Sequence, residues 1–227
     1  MTRALVAAAA VFVCVLSTSA APQQPSGRQS PAPRRPPELF SPLDLGLLEP
    51  PDREAWQKPE QVMDALYIGD GSVVADLGAG GGWFTIRLAR RVGQQGTVYA
   101  EDIQHLMIEV IQRRVQREGL ENVKPILGTG ADPFPGLGAG TLDAVLIVDA
   151  FHEMREPVVL LRNVARALKP QGRIGIIDYR ESEGGPGPDP DQRVPPSVII
   201  GAAKDAGLAL DREEKFLPFQ YFLIFRK

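Results

Sequence analysis

A carboxylate and a cluster of glycines stand together in residues 73–86, VVADLGAGGGWFTI. Asp76 ends an apolar stretch, and Gly78, Gly80 and Gly82 follow it at every second position. Glycine weakens helices and strands, so this cluster predicts a tight turn where the backbone approaches a ligand without a β-carbon in the way. The N–H groups at the start of the following helix would then attract an anionic group.

Two classes of ligand use a turn of this kind. Dinucleotide sites have the spacing G-x-G-x-x-G, but here Trp83 occupies the position of the third glycine. The carboxylate of Asp76 would repel a diphosphate and favour a cation. S-adenosylmethionine carries a sulfonium, an ammonium and a carboxylate on one short arm, so an acid beside exposed N–H groups suits it. A nicotinamide-dependent oxidoreductase is the weaker alternative because of the glycine spacing.

A parallel sheet must position this turn, and the pattern from about residue 44 onward predicts one. Strand-like and helix-like segments alternate, which indicates a doubly wound α/β sheet with ligands at the carboxyl ends of its strands. Residues 169–172 are predicted as a turn. The predicted strands cover 72–77, 97–101, 123–127, 142–148 and 173–178, and the predicted helices cover 85–92, 106–118 and 157–168, after a helical stretch over 52–66 that is broken at Pro59.

The end of the chain has a different pattern. Residues 208–216 and 221–225 both have strand character, and only LPFQ lies between them. So short a connection cannot hold a crossover helix, and the two strands must therefore form an antiparallel hairpin.

These motifs, taken in order, resemble a known family. DLGAGGG at 76–82 is similar to motif I, D/E-x-G-x-G-x-G, of the class I S-adenosylmethionine-dependent methyltransferases, and LKPQGR at 168–173 is similar to the family's turn before strand five. The resemblance runs from about Val73 to the C-terminus. It implies a Rossmann-like, seven-stranded, mostly parallel sheet with an antiparallel C-terminal hairpin strand, and S-adenosylmethionine as the cofactor.

By register with the family, further residues fall at cofactor-binding positions. The resemblance implies that Asp102 accepts both ribose hydroxyls, with Ile103 beside it, although Glu101 could serve instead. It also implies that the loop after the third strand holds the adenine through Asp132. Asp149 ends the fourth strand and is assigned to the cofactor site.

His152 is the candidate catalytic residue. It follows the fourth strand, which opens toward the reacting methyl group, and Glu153 could orient the ring while His152 acts as a base. A His–Glu pair is also common on plain surfaces, and methyl transfer needs alignment more than a fixed catalytic group. A base matters when the acceptor is a protonated amine or a hydroxyl. Asp178 and Tyr179 would face the acceptor or serve the structure, and Trp56 could close over the cofactor.

Composition argues against several partners. The formal net charge is −3, so no strong basic field exists to gather nucleic acid. The chain has two histidines, and its single cysteine lies in the predicted leader, which argues against a metal site. A small-molecule acceptor, such as a quinone precursor or another lipid-like compound, remains by elimination. The sequence leaves the oligomeric state open.

The N-terminus is expected to determine location. Residues 1–20 combine one arginine, an apolar run and small residues before Ala20, which is typical of a cleaved secretory signal peptide, with an uncleaved membrane anchor as the alternative. A proline-rich disordered linker is predicted over 21–43 and the methyltransferase domain over 44–227. The predicted location is periplasmic or extracellular.

Export conflicts with a cofactor that is made in the cytoplasm. An exported S-adenosylmethionine-binding protein of the same fold, without turnover, is therefore an alternative function. In the linker, Arg34 and Arg35 could meet anionic lipid headgroups and give weak membrane association through the N-terminus, although a solubilising role is favoured.

Overall fold

A computed structural model of the chain describes residues 38–181 and 185–227. The predicted leader and the linker up to residue 37 lie outside the described residues. Regular structure begins before residue 44, because a 3-10 helix covers Pro42–Leu48 and the hydroxyl of Ser41 accepts a hydrogen bond from the backbone N–H of Leu43.

One mostly parallel sheet of seven strands runs through the described residues, which confirms the predicted fold class. The order across the sheet is β3-β2-β1-β4-β5-β7-β6. β7 is antiparallel to both β5 and β6, so the C-terminal hairpin is confirmed. The strands are β1 Val73–Leu77, β2 Thr97–Asp102, β3 Val123–Leu127, β4 Leu142–Val148, β5 Leu168–Tyr179, β6 Ala209–Glu214 and β7 Gln220–Arg226.

The helices connect these strands. α1 and α2 are separated at Lys58, which has a φ of 48° and precedes Pro59, because a proline disfavours helical backbone in the residue before it. The α-helices of the described ranges are α1 Arg53–Gln57, α2 Pro59–Ala65, α3 Trp83–Val92, α4 His105–Arg117, α5 Pro157–Ala167 and α6 Pro196–Asp205. None of these helices is long and apolar enough to cross a membrane.

β4 lies at the centre of the core. Every residue from Ala144 to Val148 is buried, because helices cover both faces of the sheet. α3 and α4 cover one face, where Leu88 and Ile111 are fully buried, and α5 and α6 cover the other, where Leu161 is fully buried. With both faces covered, the carboxyl ends of the strands are where a ligand site can form.

Two elements differ from the prediction by more than a few residues. β5 begins at Leu168 rather than at residue 173. Residues 169–172, predicted as a turn, form a bulge within this strand, because Leu142 pairs with Leu168 but Ala144 already pairs with Arg173. Helix α6 is absent from the sequence prediction. Its sequence, PSVIIGAAKD, contains Gly201 and only two charged residues. It therefore lacks the clear amphipathic pattern that predicts the other helices.

Candidate functional site

The carboxyl ends of β1, β2 and β4 open into a cavity of about 820 Å³. The predicted residues that line it come from the ends of all three strands: Asp76, Gly78, Gly80, Asp102, Ile103, Asp149 and His152. The structure thus brings most of the predicted site together, at the edge of the sheet where this fold class places ligands.

The glycine turn is held by the acids at the end of β2. The N–H of Gly78 donates to Oε2 of Glu101 at 3.2 Å, and the N–H of Gly80 donates to Oδ2 of Asp102 at 3.0 Å. The backbone φ is 70° at Gly78 and 54° at Gly80. A Cβ on Gly78 would lie 2.6 Å from Cβ of Ala150, so glycine is required at this position.

Most N–H groups of the turn itself are bonded within the protein, and the expectation of an anionic group at the start of α3 stays a prediction. The N–H groups of Gly78 and Gly80 are bonded to carboxylates, and that of Gly82 donates to the carbonyl of Ala79 at 2.9 Å. The turn is therefore surrounded by acids. A diphosphate placed here would meet negative charge in a partly desolvated cavity, where Coulomb repulsion is strong.

Burial makes these acids sensitive to a cation. It raises the pKa of Asp76 to about 6, although the hydroxyl of Thr85 donates to its Oδ2 at 2.6 Å and opposes the rise. Burial also raises the pKa values of Glu101 and Asp102. Oε1 of Glu101 is buried without a hydrogen-bond partner among the described residues. A ligand with positive charge and hydroxyl donors would satisfy this cluster, so these residues fit S-adenosylmethionine.

Asp102 lines the cavity at the end of β2. Its Oδ1 accepts from the N–H of Gln104 at 2.9 Å and its Oδ2 accepts from Gly80. Each oxygen keeps a second lone pair, so the carboxylate can still accept two ribose hydroxyls. Ile103 is partly exposed and lines the same cavity.

Two predicted residues lie outside the cavity wall. Oδ1 of Asp132 accepts from the backbone N–H of Phe134 at 3.3 Å, so this carboxylate caps its own loop, and Gly130 lines the cavity from that loop instead. Gly82 forms the N-terminal cap of α3 with a φ of 79° and packs near Ile111. Neither residue therefore lines the cavity, and Gly82 serves the turn itself.

A His–Asp pair spans the ends of β4 and β5. Nδ1 of His152 lies 3.1 Å from Oδ1 and 3.2 Å from Oδ2 of Asp178. The backbone N–H groups of His152 and Tyr179 also donate to this carboxylate, at 3.2 and 2.8 Å. Asp178 is fully buried, whereas His152 lines the cavity. Because an ionised carboxylate only accepts, Nδ1 carries the proton and Nε2 of the neutral ring remains as the acceptor.

Asp178, not Glu153, orients His152, which corrects the sequence-based expectation. Oε1 of Glu153 lies 3.8 Å from Nε2, beyond hydrogen-bond reach, and its Oε2 accepts from the N–H of Phe40 at 3.0 Å. Burial lowers the pKa of His152, but the hydrogen bond to Asp178 and the charges of Asp178 and Glu153 outweigh this effect and raise the pKa above its ordinary value. The neutral ring is therefore a stronger base than a free imidazole.

A buried arginine enters the cavity from α1. The guanidinium of Arg53 lies 4.3 Å from the centre of the Trp83 ring, and Arg87 covers the same ring at 3.5 Å. Nε of Arg53 donates to Oε1 of Gln57 at 2.9 Å. Trp83 occupies the position of the third glycine of a dinucleotide site. Its ring holds the guanidinium of Arg53 close to Asp76 by a cation–π contact. Arg53 is the group best suited to hold the carboxylate of the cofactor's amino-acid arm.

Asp149 is held by protein side chains at the end of β4. Its φ is 55°, its Oδ1 accepts from Nε2 of Gln220, and its Oδ2 accepts from the hydroxyl of Tyr179 at 3.3 Å and lies 3.7 Å from Arg53. Burial raises the pKa of Asp149 to about 7, although the charge of Arg53 opposes this rise. Besides its predicted role in cofactor binding, Asp149 therefore fixes Arg53 and Tyr179 on the cavity wall.

The sequence-based prediction misses Arg53 and Gln220. They come from opposite ends of the chain, and Gln57 joins them by donating from its Nε2 to Oε1 of Gln220 at 2.6 Å. No local motif marks this contact; the only signal is an arginine three residues before Trp56 in a helical stretch. Within the two described ranges, no group of three His, Cys, Asp or Glu side chains is arranged to hold a metal ion.

Residues 39–50, which we call the N-terminal strap, help to line the cavity. The carbonyl of Phe40 accepts from Nε2 of Gln104 at 2.9 Å, and Glu49 forms an ion pair with Arg114 of α4. Trp56 lies in the same wall and packs edge-on against a phenylalanine ring at 5.8 Å. The strap residues on the wall are Leu39, Phe40, Leu47, Leu48, Glu49 and Pro50.

Comparison with known proteins agrees with this geometry. Residues 74–172 match the profile of a family described as a methyltransferase domain. A SAM-dependent methyltransferase from Aquifex aeolicus is similar in structure, with a TM-score of 0.78 and 28% identity over 82% of this chain and 98% of that one. The chain therefore carries a methyltransferase domain of the S-adenosylmethionine-dependent type. The cofactor of this family is S-adenosylmethionine, as predicted.

Curated relatives of this methyltransferase act on small molecules, as their names state. A nocamycin O-methyltransferase from Saccharothrix syringae is 34% identical over 64% of this chain and 50% of its own length. A ubiquinone/menaquinone biosynthesis C-methyltransferase from Citrobacter koseri is 30% identical over 52% of this chain and 46% of its own length. The chain thus spans about half the length of the curated relatives it matches.

Proposed function

We propose that this methyltransferase transfers the methyl group of S-adenosylmethionine to a hydroxyl-bearing small molecule, with His152 as the base. The observation that carries the proposal is the His152–Asp178 pair in the cavity that also holds the glycine turn and Asp102. The residues assigned to the cofactor and the oriented base therefore face the same cavity.

The chain's own residues divide the work of holding the cofactor. Asp102 accepts the ribose hydroxyls, Asp76 faces the positive charge, and Arg53 holds the carboxylate. When bound, S-adenosylmethionine supplies a methyl group whose bond to sulfur breaks, with its electrons left on sulfur, as the acceptor's lone pair attacks the carbon. Holding the two reactants in line supplies roughly 7–11 kcal/mol of the barrier reduction.

Nε2 of His152 accepts the proton of the acceptor's hydroxyl group. The buried charge of Asp178 stabilises the imidazolium that forms, without itself taking the proton. The proton then leaves to solvent before the next turnover. Since this base has a raised pKa, it suits a weakly acidic hydroxyl such as that of a phenol or an enol.

An acidic hydroxyl also agrees with the relatives. One is named an O-methyltransferase and another a C-methyltransferase of quinone biosynthesis. Removing a phenolic proton serves both outcomes, because a phenolate can attack through its oxygen or through its ring carbon, which then loses its own hydrogen as a proton to restore the aromatic ring. The proposed acceptor is therefore a phenol, hydroquinone or enol.

The test is transfer of a labelled methyl group from S-adenosylmethionine to a panel of hydroquinones, catechols and enols. His152→Gln should abolish most turnover while S-adenosylhomocysteine binding is kept. The matched control is His105→Gln, since His105 is the other histidine and lies exposed on α4. Unchanged turnover in His152→Gln would remove this base. Tight cofactor binding with no transfer to any hydroxyl acceptor would support the binding protein without turnover.

We also propose that the chain is exported. The proposal is supported by the leader pattern over residues 1–20 and the proline-rich stretch that follows it. Mass spectrometry of the protein from its source should find a mature N-terminus at Ala21. An intact Met1 in a membrane fraction would favour the uncleaved anchor, and an intact Met1 in the cytosol would contradict export.

A further inference from the structure

We infer that the mouth of the cavity docks on a lipid bilayer, from which a lipid-soluble acceptor enters the site. The first observation is a set of three exposed leucines on the N-terminal strap. Leu39, Leu43 and Leu47 recur at every fourth residue, and they are 43%, 91% and 76% exposed. Such exposure of aliphatic side chains on one segment marks an interaction surface.

Two further exposed apolar residues lie just before and at the start of α4. Ile103 and Leu106 are partly exposed, and the intervening Gln104 is hydrogen-bonded to the carbonyl of Phe40, which is next to Leu39. These five residues, Leu39, Leu43, Leu47, Ile103 and Leu106, form what we call the apolar rim. The rim joins two separate parts of the chain around one opening.

The rim belongs to the mouth of the cavity. Leu39, Leu47 and Ile103 are exposed and also line the cavity wall. A surface that covers the rim therefore controls which molecules enter the cavity. If that surface is a bilayer, the opening of the cavity faces an apolar medium. A lipid-soluble hydroxyl compound could then pass to His152 without crossing water.

The composition of the rim favours a bilayer over a protein partner. Its members are aliphatic, whereas protein interfaces draw their binding energy mainly from Trp, Tyr and Arg and use Leu less. In the sequence, Arg34 and Arg35 come shortly before Leu39. Basic residues next to inserted apolar side chains give the two signals that hold a peripheral protein on an anionic membrane.

The inference goes beyond methyl transfer, and it can be tested without cofactor or acceptor. In the full chain, Cys14→Ser removes the only cysteine, and Leu43→Cys then accepts an environment-sensitive fluorophore. The matched control carries the same fluorophore at Leu210→Cys, an exposed leucine on β6. Because both proteins keep the same N-terminus, any tethering by the leader is equal in both.

Vesicles of phosphatidylcholine with phosphatidylglycerol should give a blue shift and a several-fold rise in fluorescence at position 43 and no change at position 210. Pure phosphatidylcholine should give a smaller response. No change at position 43, or an equal change at both positions, would overturn the inference. A concentration-dependent shift without vesicles would also overturn it, by showing that a second copy of the chain covers the rim.

A second label keeps the test independent of position 43. With the fluorophore at Leu106→Cys, the same vesicles should again cause a blue shift. Adding Leu43→Asp should remove most of this response, because burying a charged residue at the membrane is costly. An undiminished response would contradict a shared docking surface.

Discussion

Nδ1 of His152 lies 3.1 Å from Oδ1 of Asp178. His152 follows β4, Asp178 lies at the end of β5, and these two strands are parallel neighbours in the sheet. Asp178 is fully buried and also accepts from two backbone N–H groups. Its orientation is therefore fixed by the fold, and it fixes the ring of His152 in turn. The sequence neighbour Glu153 has no part in this, since it bonds to the strap instead.

Asp178→Asn should lower kcat strongly and leave S-adenosylhomocysteine binding nearly unchanged. An amide cannot stabilise the imidazolium, so most of the contribution of the base, about 10²–10⁴-fold, should be lost. Glu153→Gln is the matched control and should have a much smaller effect on kcat. Equal losses in the two variants would show that Asp178 has no special role. Initial rates at saturating cofactor measure both.

Activity should rise with pH through the pKa of His152. The base acts in its neutral form, and its pKa is raised, so the midpoint of kcat/KM should lie above about 6.5, the usual value for histidine. In Asp178→Asn the midpoint should move down, because burial lowers the pKa and the anion that opposes this effect most strongly is then gone. A midpoint that stays in place in Asp178→Asn would contradict the pairing.

Cofactor binding should release protons near pH 6. The pKa of Asp76 is about 6, so its carboxyl is partly protonated there, and a nearby positive charge lowers that pKa and expels the proton. Calorimetric titration with S-adenosylmethionine in two buffers of different ionisation enthalpy measures the release. Asp76→Asn should reduce it. Identical heats in both buffers for the unmodified chain would mean that no proton leaves and that Asp76 is not beside the charge.

Gly78→Ala should destabilise the fold and weaken cofactor binding. The new Cβ would lie 2.6 Å from Cβ of Ala150 at a φ of 70°, and the left-handed backbone alone costs about 1–2 kcal/mol for a residue with a side chain. Urea denaturation measures the free energy of unfolding.

Gly201→Ala is the matched control for Gly78→Ala. Gly201 lies within α6 and a Cβ there meets nothing within 4 Å. This variant should raise the free energy of unfolding by up to about 1 kcal/mol and leave binding unchanged. If the two variants behaved alike, the close approach at Gly78 would have no effect.

Local sequence patterns predict much of the fold. β4 has the predicted limits because it is a near-continuous apolar run, and the C-terminal hairpin follows from the short connection alone. α6 escapes prediction because Gly201 and few charged residues mask its periodicity. The bulge in β5 escapes because its register is set by pairing with β4, which is a contact between distant residues.

The sequence predicts only those residues of the candidate site that belong to one local motif. Asp76, Gly78, Gly80 and Asp102 are found because their spacing in the chain reflects one turn and one strand end. Asp178 as the partner of His152 is not found, since their contact depends on the pairing of β4 with β5. For the same reason the hydrogen bonds from the turn to the β2 acids are invisible in the sequence.

The central claim is that the glycine turn and the acids of β2 receive a compact, positively charged nucleoside and not a diphosphate. Calorimetric titration of the full chain with S-adenosylhomocysteine and with NAD tests it most directly, with Asp102→Asn in parallel. We expect one molecule of S-adenosylhomocysteine to bind per chain, at least about tenfold weaker binding in Asp102→Asn, a loss of about 1.4 kcal/mol, and no binding of NAD. Binding of NAD together with no binding of S-adenosylhomocysteine would contradict the claim.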